Sequence, residues 1–200
     1  MKTFKDAKEA LDTHGIVAFP TETVMGLGVY YDDKEAYDKL NLVKERHPDK
    51  PYTLMLYNPY VISFYAELDL RAKKLIEKFM PGPLTLLLKT KKGKVPGWVT
   101  HNTGILGIRV PANKIALDFL YNLEKPLLVP SANKAGQPPC LTSKEVKKVF
   151  GDEIDYVIKG KAKGKMSSTI VDLTGKDIKI IREGLLPKEE ILKALEEIEQ

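Results

Sequence analysis

One cysteine, Cys140, stands among 200 residues, so the chain can assemble neither a disulfide framework nor a thiolate metal site, and a reducing cytoplasm is the expected setting. With no base close to it in sequence, Cys140 reads as an inert thiol. The three histidines, His14, His47 and His101, sit in unrelated segments without an i, i+4 partner, which argues against a zinc site or an imidazole base. No stretch approaches the roughly 20 apolar residues of a membrane span. The opening MKTFKDAKEALDTHG alternates charge with apolar residues at helical spacing, unlike a signal peptide. Neither GxxxxGKS/T nor GxGxxG occurs, so nucleotide binding requires some other phosphate-holding device. Aromatic residues are 8% of the chain, with a single tryptophan, Trp98, and no RNP-type stacking motif.

What is present is a balanced, mildly basic composition. Thirty-two basic against 27 acidic side chains leave a formal charge of +5, which favours phosphate-bearing ligands through the summed surface field. Many of these charges read as solvated helix faces, as at Glu9, Lys34, Glu35, Lys147, Lys148, Glu189 and Glu190. At 43% hydrophobic, the chain can bury one sizeable core, and one domain is expected.

Phe4, Ala7 and Leu11 recur at helical spacing and predict a short helix stopping near Gly15, with a strand over 16–19. An extended stretch over 24–31 precedes a helix carrying Ala36, Leu40 and Val43, which should end before Pro48. Further strands are predicted over 52–57, 84–88, 105–110, 127–129, 154–158, 169–173 and 178–181, and helices over 69–79, 112–123, 143–150 and 188–198. This alternation, lacking a βα repeat of constant length, predicts a single-domain α/β fold with a twisted mixed sheet flanked by helices. Segments 91–104 and 159–168 are the expected mobile loops, with Trp98 in the first as a packing residue or a lid anchor.

Four segments concentrate polar chemistry. IVAFPTET and LLVPSAN each run from a buried strand through proline to small hydroxyl or amide residues, delivering Thr21, Thr23, Ser131 and Asn133 at strand ends, where open α/β sheets bind ligands. Each alone is also ordinary turn chemistry. In LNLVKERHPDKPY, Lys44, Arg46 and Lys50 crowd a helix end. Lys44 and Arg46 would diverge by about 200° on a continuing helix and converge only if it stops. Such a trio suits a triphosphate, and it also suits a helix dipole. Finally, SSTIVD and IIREG place Ser167, Ser168 and Thr169 at the start of one strand and Arg182 at the close of its expected hairpin partner.

PTETVMGLG, KERHPDKP, PGPLTLLLK, GIRVP, PSANKAGQP and SSTIVD with IIREG resemble the YrdC family in order and approximate spacing over about residues 10 to 184. The resemblance implies a YrdC-like sheet with a concave basic groove and a synthase of threonylcarbamoyl-AMP. Such an enzyme consumes ATP, bicarbonate and L-threonine to supply the threonylcarbamoyladenosine modification of tRNA at position 37. It further implies that Lys44 and Arg46 are the catalytic cations. ATP would be met by Lys44, Arg46, Lys50, Ser131, Asn133 and Arg182, and L-threonine by Thr23, Arg109, Ser131 and Ser168. Arg109 suits the threonine carboxylate, since a buried carboxylate needs a charged partner. Mg²⁺ would accompany ATP, held by phosphates and water, with no protein ligand named. A tRNA threonylcarbamoyltransferase complex is the implied partner, weak tRNA binding is allowed, and no membrane is involved. Met25 replaces the family's usual tyrosine, His47 is inserted before Pro48, and Leu141 stands where Ser or Thr is frequent. The ending at Gln200 suggests the short form, without the additional C-terminal domain. Two other readings stay open: an RNA-binding module of the same fold, and a carbamoyl-transfer domain.

Overall fold

The computed structural model describes residues 4–45, 51–164 and 166–197, so Arg46, His47 and Lys50 lie outside the described residues. Helix α1 (Lys5–Asp12) leads into the hairpin β1 (Val17–Pro20) and β2 (Met25–Tyr30), followed by α2 (Lys34–Val43) and β3 (Thr53–Met55). A 3₁₀ turn (Pro59–Val61) and α3 (Ile62–Tyr65) precede α4 (Leu70–Phe79), β4 (Leu84–Lys89), β5 (Ile105–Arg109), α5 (Lys114–Tyr121) and β6 (Leu127–Val129). The chain closes with α6 (Ser143–Phe150), β7 (Tyr156–Val157), β8 (Thr169–Asp172), β9 (Lys179–Arg182) and α7 (Lys188–Glu196).

Among the described residues nine strands form one sheet in the order β7-β1-β2-β6-β3-β5-β4-β8-β9. The pairs β1–β7, β3–β5 and β4–β8 are parallel and the rest antiparallel, which is the expected mixed sheet. Alternation along the first strand sorts two cores. Ile16 and Ala18 face a large cluster built with α2, α4, α6 and α7, whereas Val17 and Phe19 face a smaller one with α1 and α5. Each fully buried Leu or Phe contributes about 1.5–3 kcal/mol. Gly28 is needed for strand approach, because a Cβ there would lie 2.8 Å from Leu127 Cδ1 and 3.0 Å from Phe19 Cε1.

Helix starts follow side-chain capping. Asp33, Asp69 and Asn113 accept from backbone N–H groups of α2, α4 and α5, and Thr142 with Glu145 forms a capping box at α6. Asp33 also takes His14 Nδ1 at 2.8 Å, and that hydrogen bond holds the imidazole pKa above its ordinary 6.5. A raised pKa means that the stabilisation is complete below 6.5 and is lost as pH rises through the folded value. NMR titration should therefore find His14 above 6.5, and Asp33→Asn should lower its midpoint while keeping the cap.

Segment 91–104 is more ordered than its composition predicts. It contains a 3₁₀ turn, Gly97–Thr100, with Val99 and Thr100 buried. Trp98 packs on Tyr37 at a centroid distance of 4.9 Å, so its role is packing.

Candidate active site

The first wall of the site is the β1–β2 turn. Proline ends the pairing of β1, and Thr21 then organises the reversal: its Oγ1 donates to the Val24 carbonyl at 2.7 Å and accepts from the Thr23 N–H at 3.1 Å. Thr21 and Thr23 share a hydroxyl–hydroxyl bond of 2.8 Å, both buried.

At the end of β5, Arg109 reaches this turn. Its Nη2 donates to Glu22 Oε1 at 2.6 Å and to Thr23 Oγ1 at 3.0 Å, with the two charged side chains 7% and 10% exposed. Glu22 was not a candidate from sequence. Its place inside PTET was the available signal, but its partner lies 87 residues away. Glu22 Oε2 and Arg109 Nε are buried without a hydrogen-bond partner among the described residues. A protein carboxylate thus already holds part of the guanidinium expected to meet a substrate carboxylate.

The second wall is the expected hairpin of β8 and β9, with Ile170 opposite Arg182. Arg182 Nη2 donates to the Ser168 carbonyl at 2.9 Å, and the Ser168 hydroxyl bonds Thr85 Oγ1 on β4 at 2.8 Å. Burial, then the nearby positive Arg109, push the Arg182 pKa down. Arg109 is buried and Arg182 is exposed at the cavity rim, and two neighbouring guanidinium groups favour an anion beside them. Gly184 lets the chain turn back onto the serines, since a Cβ there would stand 2.2 Å from Ser167 O and 2.6 Å from Ser168 C. Gly184→Ala should cost about 1–3 kcal/mol by overpacking and should raise the KM for any ligand held by Ser168, as read by thermal melting and steady-state kinetics.

The third wall is the turn after β6. Ser131 Oγ donates to Asn133 Oδ1 at 2.6 Å, and the Asn133 amide donates to the carbonyls of Lys134 and Gln137 at 2.9 and 3.0 Å. Asn133 therefore acts as a turn builder. Lys44, the C-cap of α2, is 2% exposed, and its ammonium donates to the backbone oxygens of Ser131 and Asn133 at 2.5 and 2.6 Å. The Ala135 N–H returns a bond of 2.9 Å to the Lys44 carbonyl. The helix stops at Val43, ahead of Pro48 as expected, and Glu45 follows in the left-handed region at φ 52°.

These walls enclose one cavity lined by Thr21, Thr23, Arg109, Ser131, Ser167, Ser168 and Arg182 among others, so five of the residues assigned to ligands by the family resemblance meet there: Thr23, Arg109, Ser131, Ser168 and Arg182. A profile of the Sua5/YciO/YrdC family, described as "Telomere recombination", matches residues 9–184. The chain belongs to the Sua5/YciO/YrdC family. It is 36% identical to the threonylcarbamoyl-AMP synthase of Pyrococcus abyssi over 92% of this chain and 54% of that protein, so it spans about half of that relative's length. Against the threonylcarbamoyl-AMP synthase of Vibrio campbellii it is 32% identical over 92% of this chain and 100% of the relative. The fold superposes on the crystal structure of P. abyssi Sua5 complexed with L-threonine with a TM-score of 0.89 at 34% identity, covering 94% of this chain and 55–56% of the Sua5 chains compared.

Where the Sua5/YciO/YrdC chain departs from the expected motif, the structure is specific. Met25 is fully buried and lines the cavity together with Tyr52, whose hydroxyl donates to Asn41 Oδ1 at 2.6 Å. The Leu141 N–H donates to Glu145 Oε2 at 2.6 Å, giving that position a helix-capping use. Cys140 is buried, and burial pushes its thiol pKa up, away from nucleophilic chemistry. No cluster of three His, Cys, Asp or Glu suited to a metal occurs among the described residues, and none of the described helices is long and apolar enough to cross a membrane.

Proposed function

We propose that this chain is a threonylcarbamoyl-AMP synthase acting on L-threonine, bicarbonate and ATP. The observation that carries the reading is the convergence of Arg109 and Arg182 with the hydroxyls of Thr23, Ser131 and Ser168 in one cavity at strand ends. The threonine amine takes up bicarbonate with loss of water to give a carbamate, whose oxygen attacks the α-phosphorus of ATP as pyrophosphate leaves. Each step gathers negative charge, and the reaction needs no covalent nucleophile from the protein. Its contribution is orientation and cationic stabilisation. Thr23 and Ser168 orient the amino acid with Arg109, Arg182 faces the nucleotide anion, and Ser131 sits between the two ligands. Asn133 serves ATP indirectly, by holding the turn that carries Ser131. Arg46 and Lys50, outside the described residues, are proposed for the triphosphate. Mg²⁺ would neutralise phosphate charge when bound. The carboxylate by the cavity, Glu22, is engaged by Arg109, so the ion is proposed to arrive on the triphosphate. The product is proposed to pass, in the cytoplasm, to a transferase that modifies tRNA.

Pyrophosphate release from ATP and bicarbonate should require L-threonine, and carbamoyl phosphate should not replace it. Arg182→Ala should lower kcat/KM by about 10²–10³, the effect of removing one preorganised charge donor. Absence of release by folded protein that binds ATP would refute the synthase.

A further inference from the structure

The hydroxyl protons around the cavity can be counted. A hydroxyl has one proton to give and two lone pairs to receive with, whereas a carbonyl only receives. Thr21 Oγ1 lies 2.7 Å from the Val24 carbonyl and 2.8 Å from Thr23 Oγ1, and both threonines are buried. Each of these short contacts needs a proton, and only the two hydroxyls supply one. Thr21 therefore gives its proton to Val24, and Thr23 gives its own to Thr21. Thr23 Oγ1 also accepts from Arg109 Nη2 at 3.0 Å, which leaves it a single lone pair.

The third wall repeats the arrangement. Both N–H bonds of the Asn133 amide are spent on the Lys134 and Gln137 carbonyls, so the 2.6 Å contact of Asn133 Oδ1 with Ser131 Oγ takes the Ser131 proton. Ser131 then has only lone pairs to offer. An antiparallel bridge between Gly26 and Ser131, with the Ala132 N–H bonded to the Met25 carbonyl at 2.8 Å, sets these two walls side by side. The second wall has the opposite polarity. Thr85 and Ser168 bring two protons to one contact of 2.8 Å and make no other side-chain hydrogen bond among the described residues, so one proton stays free beside Arg182.

We infer that Thr21 and Asn133 are positioning residues that make Thr23 and Ser131 acceptors only, and that these two acceptors together hold the N–H groups of the substrate's amine. The inference rests on the synthase reading and gives its amino group a place. Acceptors repel the oxygens of carboxylate, carbamate and phosphate, which are left to the Thr85–Ser168 donor and the guanidinium groups. An amine held through its N–H bonds turns its lone pair to the rest of the cavity, where bicarbonate must arrive. The neighbouring guanidinium charge disfavours the ammonium form and helps to uncover that lone pair.

The test is calorimetric titration with L-threonine and with (R)-3-hydroxybutanoate, which keeps the carboxylate and the hydroxyl and lacks the amine. Threonine-dependent pyrophosphate release is measured on the same proteins. The parent should bind threonine at least about tenfold more tightly than the analogue, the scale of a hydrogen bond to a charged donor. Thr21→Val returns a free proton to Thr23, and the preference should shrink by about tenfold while affinity for the analogue is kept. Thr21→Ser retains the hydroxyl and should retain the preference. Ser131→Ala, at a partly exposed residue, removes the other acceptor and should shrink the preference likewise, which decides the matter where Thr21→Val does not fold. Ser168→Ala, on the donor side, should weaken both compounds by the same factor. A merely structural role for Thr21 would weaken both compounds equally in Thr21→Val, and that result overturns the inference, as does a parent that binds the two alike. Release that depends on threonine, with the preference undiminished in Thr21→Val and Ser131→Ala, removes the inference and leaves the synthase standing. A parent that neither binds threonine nor releases pyrophosphate removes both.

Discussion

Glu22→Ala is expected to lower the unfolding free energy by about 3–5 kcal/mol, because it strands the buried Arg109 guanidinium without its carboxylate. Glu22→Gln keeps an acceptor for Arg109 Nη2 and should fall between alanine and the parent in urea denaturation. A double replacement, Glu22→Leu with Arg109→Met, removes both charges and should recover much of the stability, since an ion pair at this depth gains little over well-packed apolar groups. The same double variant should have no threonine-dependent activity. Recovered folding without catalysis would establish that the pair serves the site. Stability of Glu22→Ala within about 1 kcal/mol of the parent would mean that solvent reaches Arg109 and that the pair is not the anchor of the β1–β2 turn.

Lys44→Met is expected to lower activity by at least 10²-fold and stability by about 3 kcal/mol. Its ammonium donates to two carbonyls of the turn that carries Ser131, and charge-assisted bonds of this kind contribute about 1.5–3 kcal/mol each without strict additivity. Once the turn is untied, Ser131 leaves its place in the cavity, and a misplacement of about 1 Å can cost 10²-fold in rate. Lys44→Arg should not rescue, because a planar fork does not replace a compact ammonium between two carbonyls. Thermal melting and kinetics with ATP varied read both effects. A variant with the parent's melting temperature and a raised KM for ATP alone would instead make Lys44 a phosphate ligand, the role that motif resemblance implies.

That contrast marks where sequence reasoning stops. Thr23, Ser168 and Arg182 are legible because strand patterning, proline and hydroxyl clusters are local signals, and the pairing of Ile170 with Arg182 follows from a short hairpin. The direction of Lys44 is not legible, since the carbonyls it meets lie 87 and 89 residues away. The same holds for Glu22 and Arg109, whose burial depends on β5 ending beside the first turn. Segment 91–104 reads as a mobile loop because its glycines and proline hide the anchoring of Trp98 on Tyr37.

The strand order also bears on synthesis. Hairpin β1–β2 leaves the ribosome early, yet its outer neighbours β6 and β7 come about a hundred residues later or more, and Ser168 and Arg182 join the cavity near the end. Such non-local pairing is slow to form and leaves apolar strand edges open while translation proceeds. A nascent chain short of Arg182 has Thr23 and Arg109 but lacks the second guanidinium of the cavity. A complete cavity is therefore the last property the growing polypeptide acquires, and a prematurely terminated product would have its first and third walls without the second.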